Sequence, residues 1–145
     1  MIMDDLSLKL CDIQGRLFEL SSKQGYDSEI FVPFFMDSDV AKGLDSPYNR
    51  MQWAGEEYLL EEIIADSNGK ITNSGNVTQP EVMYWMGYIY RYWHFYKKEP
   101  SSKIYKKANF KTMKRNYMMF HTMDPELAID SLIEIKEQKK TKGAG

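Results

Sequence analysis

The sequence predicts an all-α fold: one helical domain over residues 1–138, a bundle of six to seven helices around a central aromatic helix at about 79–98, and a disordered tail at 139–145. Three observations predict it. Gly and Pro number only 9 and 5 in 145 residues, too few punctuators for a many-turned β architecture. Apolar residues recur at steps of three and four, the period of a helix with one buried stripe. Helix-start residues stand ahead of several of those stripes. With 43% apolar and 28% charged residues, a chain of this length can bury a real core and is too apolar for disorder.

Taken in order, Leu6, Leu10, Ile13, Leu17 and Leu20 mark the first amphipathic helix, ended by Gly25. Asp27 is placed to cap a second helix carrying Ile30, Phe31, Phe34, Phe35 and Val40, with Pro33 in its first two turns. "GLDSPYNR" breaks the chain, and Ser46 before Pro47 offers a fresh start for a helix through "MQWAGEEYLLEEIIADSNG", interrupted at Gly55. Residues 66–80 are loop-rich, with a tight turn at Asn68-Gly69 and at most a small hairpin. Thr78 followed by Glu81 reads as a capping box, with Pro80 in the first turn of the aromatic helix. Ser101 caps a short helix, "FKTMKRNYMMFHT" forms another, and Asp124-Pro125-Glu126 opens the last.

The chemistry this composition excludes is broad. One cysteine, Cys11, staples nothing and falls among apolar residues; with two histidines it leaves no zinc pattern, so neither metal nor cofactor is expected. His94 has no carboxylate or second His at helical spacing, and His121 has no second His there. There is no Gly-rich phosphate loop, and Glu61, Glu62 and Asp66 read as a solvated helix face. No catalytic residue is assigned on these grounds. No apolar run is long enough to span a membrane, and the N-terminus carries acids where a secretory signal carries bases, so a cytoplasmic protein is the expectation.

Residues 82–96, "VMYWMGYIYRYWHFY", hold eight aromatic rings in fifteen positions. At about 100° per residue they divide into two faces. Val82, Met86, Ile89 and Trp93, flanked by Trp85, Tyr92 and Tyr96, form a core seam. Opposite lie Tyr84, Gly87, Arg91, His94 and Lys98, flanked by Tyr88 and Phe95. That second face reads either as covered by neighbouring helices or as a docking surface, since Tyr, Trp and Arg are enriched at binding hot spots. Gly87 at its centre would let another backbone come close.

Charge is distributed unevenly. Residues 1–75 hold fourteen acids and six bases, net −8, and residues 76–145 seven acids and thirteen bases, net +6. The positive half concentrates in 91–115, where nine bases face only Glu99, and within 97–115 the bases are interleaved with Tyr105 and Phe110. Two short helices there could mimic a helix-turn-helix, with Lys111, Lys114 and Arg115 as phosphate contacts and no obvious base-reading set.

The segments "MGYIYRYWHFYKKEPSSKIYKKA" and "TMKRNYMMFHTMDPELAID" resemble a group of small antitoxin-like bacterial proteins, common in Firmicutes, encoded beside ADP-ribosyltransferase-like toxin genes. The resemblance covers roughly residues 50–135. It rests on Gly87, Tyr88, Tyr90, Arg91, Tyr92, Trp93, Ser101, Ser102, Tyr105, Tyr117, His121, Asp124, Pro125 and Glu126, of which Ser101, Asp124 and Pro125 are helix starts. It implies an antitoxin-like role against a protein partner.

The resulting expectation is a non-enzymatic protein-interaction module. Its contact set is Tyr84, Tyr88, Arg91 and Phe95 with Lys97, Lys98, Lys107, Lys114 and Arg115. A DNA-binding regulator using 97–115 is the alternative, and an enzyme uniting Arg91, His94 or His121 with carboxylates is a further one.

Overall fold

In the computed structural model, described for residues 3–47 and 49–144 with side chains through residue 140, eight α-helices and one 3-10 turn account for the regular structure, with no strand among the described residues. They are α1 (Asp5–Lys23), α2 (Ser28–Met36), α3 (Asp39–Asp45), the 3-10 turn Arg50–Trp53, α4 (Glu56–Asp66), α5 (Pro80–Lys97), α6 (Ser101–Lys107), α7 (Phe110–Phe120) and α8 (Pro125–Ala144). The all-α class and the central place of the aromatic helix hold. The count rises to eight because the stretch carrying Ile30 to Val40 splits at Ser38. Its hydroxyl donates to Phe35 O and accepts from Ala41 N, ending one helix and capping the next.

Caps account for several other departures. Asp27 caps α2 as expected, accepting from Glu29 N and Ile30 N. Ser46 starts no helix; it closes α3, and Asn49 caps the 3-10 turn instead. The Thr78–Glu81 capping box does not form. The Thr78 backbone is held elsewhere: its N–H donates to Ser28 Oγ at 2.9 Å and its carbonyl accepts from Ser22 Oγ. α5 then begins at Gln79 with no side-chain cap. Ser101 is the first residue of α6 rather than its cap. α8 runs through Ala144, where the sequence reading placed a tail from 139; good helix formers occupy 136–140 and no glycine follows until Gly143.

The 67–79 loop is pinned onto the α1–α2 junction, not paired as a hairpin. Asp27 N donates to Thr72 O at 2.8 Å and Ser28 N to Asn76 O at 2.9 Å. Gly75 has φ +121°, and a Cβ there would fall 2.1 Å from the Asp27 carboxylate, so only glycine fits.

The most extensive interface joins α1 to α5. The buried face of α1 includes Cys11, Gln14, Gly15 and Phe18, with Ser21 and Ser22 at its C-terminal end. Phe18 sits edge-on to Phe31 and Phe35, with ring centroids 5.3 and 5.1 Å away, the aromatic centre of the core. On its other sides α5 meets α6, α7 and α8. Tyr90, fully buried, donates its hydroxyl to Ala108 O at 2.6 Å. Cys11 is a buried thiol, as its neighbours predict, and burial pushes it up to about 12.

Candidate functional site

The face of α5 opposite the core seam is closed at its middle, at Gly87 and Arg91. Gly87 does admit another backbone, but that backbone is the chain's own α1. A Cβ at Gly87 would lie 2.5 Å from Gln14 O and 2.8 Å from the Phe18 ring. Gln14 Nε2 donates to Gly87 O at 3.0 Å, locking the crossing.

One turn on, Arg91 has no exposed surface. Its Nε donates to Gln14 Oε1 at 2.7 Å, its Nη1 to Asp45 Oδ1 at 2.5 Å, and its Nη2 to Ser101 Oγ at 3.3 Å. Asp45 in turn accepts from Ser101 Oγ at 2.7 Å and from Ser101 N at 2.9 Å. The cap that α6 lacks in sequence therefore comes from Asp45 at the end of α3. A single guanidinium thus fastens α1, α3, α5 and α6, and Arg91 is corrected from a presented contact to an internal tie. No buried side-chain donor or acceptor is left without a partner among the described residues.

His94 borders this cluster, with Nδ1 2.7 Å from Glu99 O and 3.6 Å from Asp45 Oδ1. A carbonyl only accepts, so Nδ1 carries the proton. Burial, then the Arg91 charge, hold the imidazole below its ordinary value against the opposing pull of Glu99 O and Asp45. Between its lowered folded value and the ordinary one, the unfolded chain binds more protons at this residue than the folded chain. Stability is therefore expected to fall as pH drops through about 6.5 and on toward the lowered folded value. Urea midpoints across that range check this, and His94→Gln should flatten the profile there.

The three side chains an enzyme reading would unite are divided. Arg91 and His94 share Asp45, whereas His121 lies at the end of α7, exposed and stacked on Tyr117 with centroids 4.4 Å apart. No group of three or more metal-ligating side chains exists among the described residues.

In the first half of α5 the half-exposed rings, Tyr84 and Tyr88, belong to the stripe 81, 84, 85, 88, 89, about a quarter-turn from the centre of the face the two-face picture gave. This stripe, with Tyr117, His121, Met123 and Pro125, lines an apolar groove of about 310 Å³ between α5 and the α7–α8 corner. Tyr84 and Tyr88, both half-buried, are two of the five contact residues expected on α5 and both stand in this groove. Their rings are 6.0 Å apart, and Trp85 meets Tyr117 edge-on at 5.7 Å. Tyr84 donates its hydroxyl to Asp12 at 2.5 Å, and burial together with that bond raises its phenol well above the ordinary value. Burial raises Tyr88 too. Both are therefore neutral, with one apolar face turned to the groove. Phe95 packs beside His94, centroids 5.0 Å apart, and is not part of the lining.

The basic residues separate as well. Lys107 is paired with Glu99 at 2.6 Å, and Lys97 with Asp130 at 3.4 Å while lying over the Tyr96 ring. Lys98 is the left-handed cap of α5, φ +58°, and is exposed. Lys114 and Arg115 are exposed on α7 together with Lys111. Sequence reasoning missed Gln14, Asp45 and Trp85 as determinants of the site. The first had a signal, a lone amide among apolar residues; Asp45 had none, since its partners are remote in sequence.

Comparison of the chain with protein-family models, with curated proteins and with solved structures yields no match. No helix among the described residues is long and apolar enough to cross a membrane.

Proposed function

We propose that this chain is a non-enzymatic protein-interaction module that neutralises a partner by occlusion, in the manner of an antitoxin. The groove lined by Trp85, Tyr88 and Tyr117 takes an apolar side chain of the partner. Lys114, on the same helix as Tyr117 and one turn before it, lies against an acid beside that side chain. The observation that carries the reading is the groove itself. Along the part of α5 whose other faces are buried by its own neighbours, Tyr84 and Tyr88 stay half-exposed one turn apart, with the buried Trp85 lining the groove beside them. Preformed rings bury much area at little cost in side-chain entropy, which suits a binding hot spot. That the partner is a toxin of the ADP-ribosyltransferase type rests on the resemblance carried by "GYIYRYW" and "FHTMDPELAI".

Co-expression of the full chain with the genes encoded next to it, followed by pull-down on the chain, tests this. One neighbouring protein is expected to be retained, less firmly as salt is raised. Retention of no neighbour would overturn the reading. A salt-sensitive shift of the chain's own promoter DNA, with no protein retained, would replace it with the DNA-binding one.

A further inference from the structure

The outward face of α7 and the cleft between α1 and α4 are complementary in both charge and polarity. Lys114, Arg115, Met118 and Met119 fall within about 140° of one another around α7. All four are exposed, Met118 and Met119 at 77% and 67%, and neither cation has an ion-pair partner among the described residues. Two adjacent methionines at that exposure are an unusual feature for a surface helix, and thioether chains adapt to whatever covers them.

The α1–α4 cleft presents the converse. It is about 430 Å³, with an apolar floor that includes Leu20, Leu60 and Ile64, and Glu57 and Glu61 at its edge. Both glutamates are exposed. The nearby cations of α1 pair within that helix, Arg16 with Asp12 and Lys23 with Glu19, and neither glutamate makes an ion pair among the described residues. The acidic element packs on α1 and α3 and the basic one on α5 and α2, which puts them on different flanks of the molecule.

We infer that the chain associates head to tail with a second copy of itself. Met118 and Met119 of one copy enter the α1–α4 cleft of the next, and Lys114 and Arg115 pair with Glu57 and Glu61. Both halves of the complementarity reside in one sequence, so every solution of the chain presents them at equal concentration; this is what favours a second copy over another acidic partner. Because the two surfaces differ, the contact is heterologous and builds a closed ring or an open chain, not a two-fold dimer. The inference goes beyond the binding reading and does not rest on it: Trp85 and Tyr88 take no part, and of the residues assigned to the partner only Lys114 is common to both.

Sedimentation velocity on the purified full chain, with no partner present, tests it. Weight-average mass is expected to rise with concentration at about 50 mM salt and to fall back toward the monomer at about 500 mM. K114E/R115E and E57K/E61K, all at exposed positions that should leave folding intact, are each expected to weaken association at least about tenfold. An equimolar mixture of the two variants is expected to associate again, because the reversed face of each now complements the reversed face of the other. A wild-type chain that stays monomeric at every concentration and salt overturns the inference. So does association that survives either reversal, or a mixture that stays dissociated.

Discussion

Gly87→Ala is expected to cost about 3 kcal/mol of stability, lowering Tm by on the order of 10 °C, although alanine is ordinarily the better helix former by about 1 kcal/mol. The sign is set by what the new methyl would meet. A Cβ at Gly87 lies 2.5 Å from the Gln14 carbonyl oxygen, where ordinary contact begins near 3.4 Å. That oxygen belongs to the α1 backbone and cannot swing aside, so the two helices must part along the largest interface in the molecule. Parting them also stretches the Gln14 bond to Gly87 O and the Arg91 bond to Gln14. Gly15→Ala is the internal comparison. Its nearest neighbours are Tyr84 ring atoms at 2.8 and 2.9 Å, on a half-buried side chain that can tilt, and the backbone atom it meets, Tyr84 O, is at 3.0 Å rather than 2.5 Å, so the loss there should be smaller. Thermal melts of the two variants check the order.

Arg91→Met is expected to cost about 3–5 kcal/mol, even though methionine nearly fills the volume. The loss comes from the partners left behind. Asp45, with only 12% of its side chain exposed, would keep its charge with no counterion, and Gln14 Oε1 would lose its donor. If that is the cause, removing the stranded charge should recover part of the loss. Asp45→Asn keeps an acceptor for the Ser101 amide, so the double variant Arg91→Met/Asp45→Asn should be more stable than Arg91→Met alone. Urea unfolding of the two single variants and the double supplies the coupling. A double variant no more stable than Arg91→Met would show that packing, not the unpaired carboxylate, sets the cost.

Much of the fold was legible because its determinants are local. The 3.6-residue spacing of Leu10 and Leu17 in α1 and of Met86, Ile89 and Trp93 in α5 correctly marks buried positions. The Asp27 cap and the Pro125 start lie where their chemistry puts them. What periodicity does not encode is which helix covers which face. The stripe opposite the α5 seam looked free because nothing within α5 shows that Gln14 and Phe18 come to rest on Gly87. The same limit applies to Thr78 and Ser101, which resemble caps in isolation but are claimed by remote partners, Ser22 with Ser28 and Asp45. Tyr84 and Tyr88 were nominated for a face they only border. They stand in a groove because α7 ends beside them and brings Tyr117, a long-range juxtaposition invisible in the sequence of either helix.

If contact with a partner is made through the groove and not through the sealed Arg91 side, the two can be separated by affinity. The neighbour retained in pull-down would be titrated against wild-type chain, Tyr88→Ala and Arg91→Met, each confirmed as folded at the temperature used. Tyr88→Ala is expected to raise Kd about 30-fold, the effect of losing a central ring, while Arg91→Met binds as the wild type does. Unchanged affinity for Tyr88→Ala, with binding lost in a folded Arg91→Met, would contradict this assignment and return the contact to the face that α1 covers.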